Sequence, residues 1–250
     1  MHYYFLSLSY HGSNYAGFQI QDNARTIQGE LERVMAIYLK QPIDLTGSSR
    51  TDAGVHAKVN YFHFQSVNEL DARMVYNLNA MLPKDISVTG LFKVGQSAHS
   101  RFDALSRSYG YYLFNKKDPF LQDRAWFYPY PLDIGHLGEM SSLLLGQHDF
   151  TSFAKKNSQV HTHMCSISTS EWVLNDGLLK YTVEGNRFLR GMVRGLVGTM
   201  INFARQKRSV DEFIEVLRVK DNTKADFTAP AHGLFLENIR FPYSLTSSEF

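Results

Sequence analysis

One polar, turn-rich stretch of the sequence carries side chains suited to nucleophilic chemistry. It runs from Gly47 to Ala57, immediately before a predicted strand, and presents Asp52 on a tight loop beside Arg50. A carboxylate with an ordinary pKa of about 3.9 is ionised at neutral pH, and a neighbouring guanidinium would keep it ionised and oriented, which suits a nucleophile better than a general acid. A turn in which Asp and Gly only satisfy backbone groups accounts for the same residues, so both interpretations stay open.

A second group of reactive side chains lies at His161, His163 and Cys165. Alternation along a strand would place these three potential metal ligands on one face, but such sites normally have a fourth protein ligand or an open catalytic role, and neither is evident. We therefore predict no metal site. Cys165 is the only cysteine, so no intrachain disulfide and no Cys-rich zinc module can form, and a reducing cytoplasm fits best.

Positive charge is concentrated in one part of the chain. The formal net charge is +2, yet residues 180–220 hold nine Lys or Arg against four Asp or Glu, which leaves −3 for the remainder. Such a block indicates a polyanionic partner, nucleic acid above all, although a solvated helix face explains it equally well. Arg187, Arg190 and Arg194 follow one another at spacings of three and four, so they would form a basic stripe for phosphates if the helix begins early enough.

Composition excludes several classes of protein. Apolar residues make up 44% and charged residues 20% of 250 residues, which is typical of a folded globular chain and not of a disordered one. The longest aliphatic run is residues 143–145, whereas a membrane-spanning helix needs about 20 apolar residues. The first residues lack a basic segment and an uninterrupted apolar segment, so we expect neither secretion nor a membrane partner.

The elements that must position these residues are predicted in two similar sets. In the first, strands cover residues 3–10, 55–64 and 86–92, and helices cover 27–38, after the N-cap Thr26, and 70–81, before Pro83. In the second, strands cover 105–113 and 234–241, and a hairpin joins 167–174 to 178–183 through Asn175-Asp176-Gly177. The first helix of this set covers 134–144 and is ended by Gly146. The second covers 192–201, and a capping box at 209–212 opens the third.

These elements predict an α+β fold of two similar halves, residues 1–104 and 105–250. Each half is expected to contain a mostly antiparallel sheet with helices on one face, and the cleft between the halves is the expected active site. Gly191, Gly195 and Gly198 share one face of the predicted basic helix. Because interior glycines cost about 1 kcal/mol each against alanine, we predict a closely packed neighbouring element there, with closely approaching RNA as the alternative. A dimer interface is a second interpretation of the same face.

Six ordered segments over about 235 residues of the chain resemble the TruA family of tRNA pseudouridine synthases. They are YHGSNYAGFQIQ at 10–21, RTDAGVHA at 50–57, NAMLPKDI at 79–86, RFDA at 101–104 with Arg107 and Tyr109, MVR at 192–194 with Val197 and Gly198, and AHGLFL at 231–236. The resemblance implies isomerisation of uridine to pseudouridine at positions 38, 39 and 40 of the tRNA anticodon arm, without metal or organic cofactor. It also implies that Asp52 is catalytic, attacking either C1′ of the ribose or C6 of a flipped base.

The same resemblance assigns roles to other side chains. Tyr109 matches an active-site tyrosine that stacks on the flipped uracil, although tyrosine is so frequent in these strands that a core role is the alternative. Arg194 matches the expected ion-pair partner of Asp52, Arg50 joins the substrate-binding set, and Arg187 and Arg190 are expected to bind RNA phosphates. Because one chain of this length is on the order of 40–45 Å across, the resemblance also fits a homodimer that grips a long tRNA.

Some positions depart from the family pattern. His11 stands where Asp is usual, Phe18 where Trp is usual, and Ser48 and Ser49 where small Ala and Gly residues are usual. The two serines leave the backbone course beside Asp52 undetermined by sequence. Two rival functions remain at this stage: an RNA-binding module that holds tRNA without modifying it, and a metal-dependent hydrolase that uses the His-rich segment.

Overall fold

The computed structural model describes residues 1–156 and 160–245. The chain divides into two compact units, one formed by Met1–Leu105 with Leu236–Phe250 and the other by Ser106–Phe235. The sequence pattern assigns the last strand to the second half, whereas its residues from Leu236 onward belong to the first unit. A strand at the end of the chain carries no local signal that tells which sheet it joins.

The described residues form ten strands and five helices. The strands are β1 (His2–Tyr10), β2 (Thr46–Gly47), β3 (His56–Ser66), β4 (Ile86–Val94), β5 (Ser106–Phe114), β6 (Trp126–Phe127), β7 (Gly146–Asp149), β8 (Met164–Asn175), β9 (Leu178–Gly185) and β10 (Leu234–Arg240). The helices are α1 (Ile27–Leu39), α2 (Arg73–Met81), α3 (Ile134–Ser142), α4 (Met192–Gln206) and α5 (Val210–Arg218). The predicted α+β class is confirmed.

In the first unit, β1 is paired on both sides. It runs antiparallel to β3, with Leu6 opposite Phe62, and antiparallel to β4, with Leu6 opposite Leu91. β2 pairs with β3, and β10 lies beside β3. The N-cap predicted for α1 is confirmed, since the Thr26 hydroxyl accepts a hydrogen bond from the Gly29 amide at 3.2 Å. α1 packs against α2, and α2 packs against β4.

In the second unit, the strand order is β5-β9-β8-β7, with antiparallel pairs, and β6 lies parallel beside β5. The predicted hairpin is confirmed: Asn175 pairs with Leu178, and Asp176 and Gly177 both have positive φ, as a two-residue turn of this kind requires. α3 packs against β8, α4 and α5. In the described ranges, no helix is long and apolar enough to cross a membrane.

Helix boundaries in this unit differ from the prediction at two places. α3 ends at Ser142, and Gly146, predicted to end it, instead begins β7 with a φ of 91°. α4 begins at Met192, as predicted, but runs on to Gln206, beyond the predicted residue 201; its N-cap Gly191 has a left-handed backbone with a φ of 73°. The capping box that opens α5 is confirmed, with Ser209 and Glu212 each bonding the other's backbone amide.

The glycines of α4 face a segment of their own chain. A Cβ atom on Gly195 would lie 2.8 Å from the Phe227 ring, and one on Gly198 would lie 2.3 Å from the Asp226 carbonyl oxygen. The predicted close packing is therefore confirmed at these two positions. The second interpretation, a dimer interface on the same face, is wrong because the segment around Asp226 already covers it.

Candidate active site

The loop that carries Asp52 is held by the segment that follows β1. The Phe18 amide donates to the Thr51 carbonyl at 3.1 Å, and the Gly54 amide donates to the Tyr15 carbonyl at 3.3 Å. These bonds fix the backbone on both sides of Asp52. Two stretches of sequence that resemble separate family motifs, residues 10–21 and 50–57, therefore form one structural unit.

Two glycines make this close approach of backbones possible. Gly17 has a φ of 106°, and a Cβ atom there would lie 3.1 Å from the Thr51 carbonyl oxygen. A Cβ atom on Gly12 would lie 2.0 Å from the Val55 carbonyl oxygen, far inside van der Waals contact. Any side chain at either position would displace the loop.

A buried polar cluster supports the loop from below, and sequence reasoning missed it. The fully buried Asn60 of β3 donates from Nδ2 to the Ser49 carbonyl at 2.8 Å and to the Tyr10 hydroxyl at 3.2 Å. The Tyr10 hydroxyl is also hydrogen-bonded to the Thr51 hydroxyl at 2.8 Å. The available signal was an asparagine on the strand face that also carries Phe62 and Phe64.

Tyr15 links the loop to a charged group. Its hydroxyl donates to Asp85, which also accepts a hydrogen bond from Asn14, and the Arg25 guanidinium lies 4.9 Å from the centre of the Tyr15 ring. Partial burial by itself would raise the pKa of Asp85, but the hydrogen bonds from Tyr15 and Asn14 outweigh it and hold that pKa below its usual value. Burial, and then the bond to Asp85, raises the pKa of Tyr15.

The Asp52 side chain itself is half-buried. Within the described residues of the first unit its carboxylate has neither a hydrogen-bond donor nor an ion-pair partner, and the exposed Arg50 does not pair with it. The expectation that Arg50 orients Asp52 through an ion pair is therefore wrong for this unit. A carboxylate whose lone pairs are not occupied by donors can attack an electrophilic carbon, which is the chemistry this geometry offers.

The departures from the family pattern are accommodated locally. Phe18 is buried and stacks on Phe62, with ring centres 4.7 Å apart. The backbone at Ser48 and Ser49 keeps a defined course, because the Ser48 amide donates to the Tyr61 carbonyl at 2.8 Å. Both serine side chains are buried, and neither hydroxyl has a partner among the residues that the structure describes.

In the second unit, Tyr109 lies on β5 and is half-buried. Its ring meets that of Phe188 edge to face, at 5.1 Å between centres. Two residues further along the strand, Tyr111 is fully buried, and its hydroxyl donates to the Pro230 carbonyl at 2.8 Å. Tyr111 thus has the core role that the sequence left open for Tyr109, whereas part of the Tyr109 side chain remains accessible.

Arg194 lies in the first turn of α4 and is half-buried. Its Nε donates to the Ala229 carbonyl at 2.7 Å, which fixes the plane of the guanidinium. Within the described residues of the second unit, its two Nη nitrogens have no hydrogen-bond partner. A guanidinium held in this way presents a pair of parallel donors suited to an anion or a carboxylate.

Arg187 and Arg190 lie in the loop between β9 and α4, not on the helix. The prediction that they share a helical flank with Arg194 is wrong, because Gly191 delays the start of α4. Arg190 is exposed, and its carbonyl accepts a hydrogen bond from the Lys155 amide at 3.0 Å. An irregular loop can present arginines to phosphates as well as a helix can, so their expected role is unaffected by this correction.

The His-rich segment does not place three ligands on one face. β8 begins only at Met164, so strand alternation does not extend back to His161 and His163. Cys165 is buried, and burial raises the pKa of its thiol to about 11. Across residues 1–156 and 160–245, no group of three or more His, Cys, Asp or Glu side chains is arranged to hold a metal ion.

Comparison with known proteins gives consistent matches over nearly the whole chain. A family profile described as tRNA pseudouridine synthase matches residues 140–242. A protein of Parabacteroides distasonis named tRNA pseudouridine synthase A is 39% identical over 248 residues, which is 98% of each chain. A protein of the same name from Bacteroides fragilis is 39% identical and covers 97% of this chain and 97% of its own length. Another from a Geobacillus species is 38% identical and covers 94% of this chain and 96% of its own length.

Proposed function

Because the chain belongs to the tRNA pseudouridine synthase A family, whose members are isomerases acting on uridines of tRNA, we propose that it modifies uridines 38, 39 and 40 of the anticodon arm with Asp52 as nucleophile. The observation that carries this proposal is the Asp52 carboxylate. It is half-exposed and free of donors within its own unit, on a loop whose backbone is fixed on both sides. A structural turn needs no such accessible carboxylate.

The reaction balances without an oxidant, reductant or cofactor. The target uridine leaves the helical stack, at a cost of a few kcal/mol, so that its glycosidic bond becomes accessible. Asp52 then attacks either C1′ of the ribose or C6 of the base. The C1′–N1 bond breaks, the uracil turns, C5 bonds to C1′, the proton on C5 is lost, and N1 gains a proton as Asp52 is released.

The remaining assignments follow from the surroundings of each side chain. We assign to Tyr109 the stacking of the flipped uracil, because its ring is partly accessible. Arg194 is assigned to substrate binding, since its Nη nitrogens have no partner within the described part of their unit and its Nε is already anchored. Arg50, Arg187 and Arg190 are assigned to substrate and phosphate contacts, which position RNA without reading its sequence.

The partners we propose are tRNA and a second copy of the chain, in the cytoplasm where tRNA is modified. Twofold dimers are the commonest closed assemblies, and a second copy would add its basic residues to the grip on one tRNA. Light scattering at micromolar concentration should give about twice the 28.6 kDa chain mass. A monomer that modifies full-length tRNA with undiminished efficiency would refute this part of the proposal.

Mapping the modified positions tests the proposed specificity. Unmodified tRNA transcripts carrying uridine at 38, 39 or 40 are incubated with the protein, treated with carbodiimide, and read by reverse transcription for pseudouridine stops. Stops at these three positions and at no other uridine are expected. Modification elsewhere in the tRNA would overturn the anticodon-arm assignment, and binding without any stop would favour the rival RNA-binding module.

A further inference from the structure

A cavity in the second unit is lined mainly by cationic and polar side chains that the proposed chemistry does not use. Its volume is about 420 Å³, and it is bounded by residues 151–156, His163 and residues 220–222, a feature we call the lysine basin. The lysines are Lys155, Lys156 and Lys220. The basin contains one carboxylate, that of Asp221.

Hydrogen bonds between the three segments that line the basin fix its shape. Asn222 donates from Nδ2 to the Ala154 carbonyl at 3.0 Å, and the Asp221 amide donates to the Ser152 hydroxyl at 3.0 Å. The segment before Thr151 is tied to His163, whose carbonyl accepts from the Phe150 amide at 3.0 Å. The positions of the lysine backbones are therefore fixed before any ligand arrives.

The charges in the basin do not cancel. The Lys220 ammonium lies 2.8 Å from Asp149, outside the basin's own lining, and so is already paired. Hydrogen bonds from the Thr223 amide and hydroxyl hold the pKa of Asp221 below its usual value and occupy its carboxylate. Within the ranges 1–156 and 160–245, Lys155 and Lys156 have no ion-pair partner. The Asp221 carboxylate interacts electrostatically with Lys156, so the lining keeps one net positive charge for a ligand.

Lys155 connects the basin to the arginine loop. Its aliphatic stem lies over Gly191, where a Cβ atom would be 2.8 Å from the Lys155 Cγ, and its amide donates to the Arg190 carbonyl. Lys155 therefore lies directly beside the loop that carries Arg190. A lysine ammonium is a compact point charge that suits phosphate oxygens.

We propose that the lysine basin is a second RNA contact, which binds backbone phosphates of tRNA through Lys155 and Lys156. This inference rests on the proposed function for the identity of the RNA. Contacts of this kind raise affinity for every tRNA alike and make binding strongly salt-dependent, because each neutralised phosphate releases bound counterions.

Methionine substitutions test the basin with little change in packing. Lys155→Met with Lys156→Met keeps the aliphatic stems, including the one over Gly191, and removes both charges. The slope of log Kd for tRNA against log salt should fall by about one to two units, since each neutralised phosphate contributes roughly 0.7–0.9. Lys155→Arg with Lys156→Arg should keep the wild-type slope.

The matched control is Lys116→Met with Lys117→Met, an adjacent exposed pair in the same unit and outside the basin. Its slope and its thermal midpoint should equal those of wild type. If the basin variant unfolds at the wild-type temperature and keeps the wild-type slope, the inference is overturned. If the basin variant loses stability, the single change Lys156→Met at an exposed position decides: a slope below that of wild type supports the inference, and a wild-type slope overturns it.

Two further comparisons separate the alternatives. Wild-type binding of tRNA in chloride and in inorganic phosphate at equal ionic strength should be the same within about twofold, since screening depends on ionic strength. A phosphate-specific loss of tRNA affinity that disappears in the basin variant would show that phosphate and tRNA compete for the basin, and would support the inference. Phosphate binding that needs the basin lysines but leaves tRNA affinity unchanged would overturn the RNA assignment in favour of a small-anion site. The proposed function is tested separately by tritium release from C5-labelled uridine with the wild-type protein. If no tritium is released, the proposed function fails, while the measured effect of the basin lysines on tRNA binding remains valid.

Discussion

Gly12 lies so close to Val55 that a Cβ atom on Gly12 would be 2.0 Å from the Val55 carbonyl oxygen. The Gly12 amide also donates to Nδ1 of His56, the next residue, at 3.0 Å. The segment after β1 and the loop before β3 are thus in direct backbone contact. The position of the Asp52 carboxylate depends on a glycine about forty residues away in the sequence.

Replacing Gly12 by alanine tests this dependence. We expect Gly12→Ala to lower the free energy of unfolding by about 1–3 kcal/mol, the usual cost of overpacking, and to lower kcat/KM more than tenfold by displacing the loop. Gly138→Ala is the control, because a Cβ atom there meets nothing within 4 Å and the residue lies inside α3. The control should gain up to about 1 kcal/mol. Urea unfolding measures the stability of both variants, and steady-state kinetics measure their kcat/KM. A Gly12→Ala protein with wild-type kcat/KM would contradict the dependence of the Asp52 loop on Gly12.

The carboxylate of Asp85 predicts a pH dependence of stability. Its pKa is lowered in the folded protein, so its contribution is fully present above the unfolded value of about 3.9 and is lost as the pH falls through the folded value. Asp85→Asn should therefore lower stability at pH 7 by about 1 kcal/mol and flatten the loss of stability as the pH falls below about 4.

Chemical denaturation across that pH range measures the effect of Asp85. Asp22→Asn provides the control, since Asp22 is exposed and no hydrogen bond or ion pair of its side chain occurs among the described residues. The control should follow the wild-type profile. Parallel profiles for wild type and Asp85→Asn would show that the contact between Asp85 and Tyr15 contributes nothing to the free energy of unfolding.

Two neighbouring tyrosines should separate catalysis from stability. Tyr109→Phe keeps the ring and should lower the single-turnover rate far more than tRNA affinity, because it removes only the hydroxyl group. Tyr111→Phe should lower the free energy of unfolding by about 1 kcal/mol, because it removes the hydrogen bond to Pro230, with little change in rate. Equal single-turnover rates for Tyr109→Phe and wild type would leave the Tyr109 hydroxyl without a role.

Local signals in the sequence predict the elements whose ends are determined by neighbouring residues. The hairpin at Asp176 and Gly177, the Thr26 N-cap and the capping box at Ser209 depend on neighbouring residues alone, and all three are confirmed. The start of α4 at Met192 is also confirmed, but whether the helix reaches back to Arg187 and Arg190 was left open, because a glycine in the sequence does not indicate the left-handed backbone that Gly191 adopts. The short strands β2, β6 and β7 were missed because two to four residues carry no periodicity.

The same distinction between local signals and tertiary contacts applies to the candidate site. Asp52 and Tyr109 could be named from the motifs, because the residue types themselves are specific. The support given by Asn60 to the Ser49 carbonyl, and by Tyr15 to Gly54, could not be predicted, since each joins residues that are distant in sequence through tertiary contacts. The sequence therefore leads to the proposal of Asp52 as the reactive group, and the structure shows how its loop is held.

The arginine loop gives a prediction about salt. Replacing Arg187 or Arg190 by alanine should weaken binding of all tRNAs alike and lower the salt slope by about one unit for each phosphate that is no longer neutralised. Arg218→Ala is the control, because Arg218 is exposed on α5 and paired with Glu215. Filter binding across a range of salt concentrations measures the slopes. Unchanged slopes would show that both arginines are simply solvated.

The most direct test of the account is release of tritium from C5-labelled uridine in an anticodon-arm RNA, because C5 loses its hydrogen only when the glycosidic carbon moves there. Wild-type protein should release tritium in single-turnover reactions. Asp52→Asn keeps the shape of the side chain and loses the nucleophile, so it should bind the RNA with a Kd within about twofold of wild type and release none. Release by Asp52→Asn at a rate within about tenfold of wild type would contradict the assignment of Asp52 as the nucleophile.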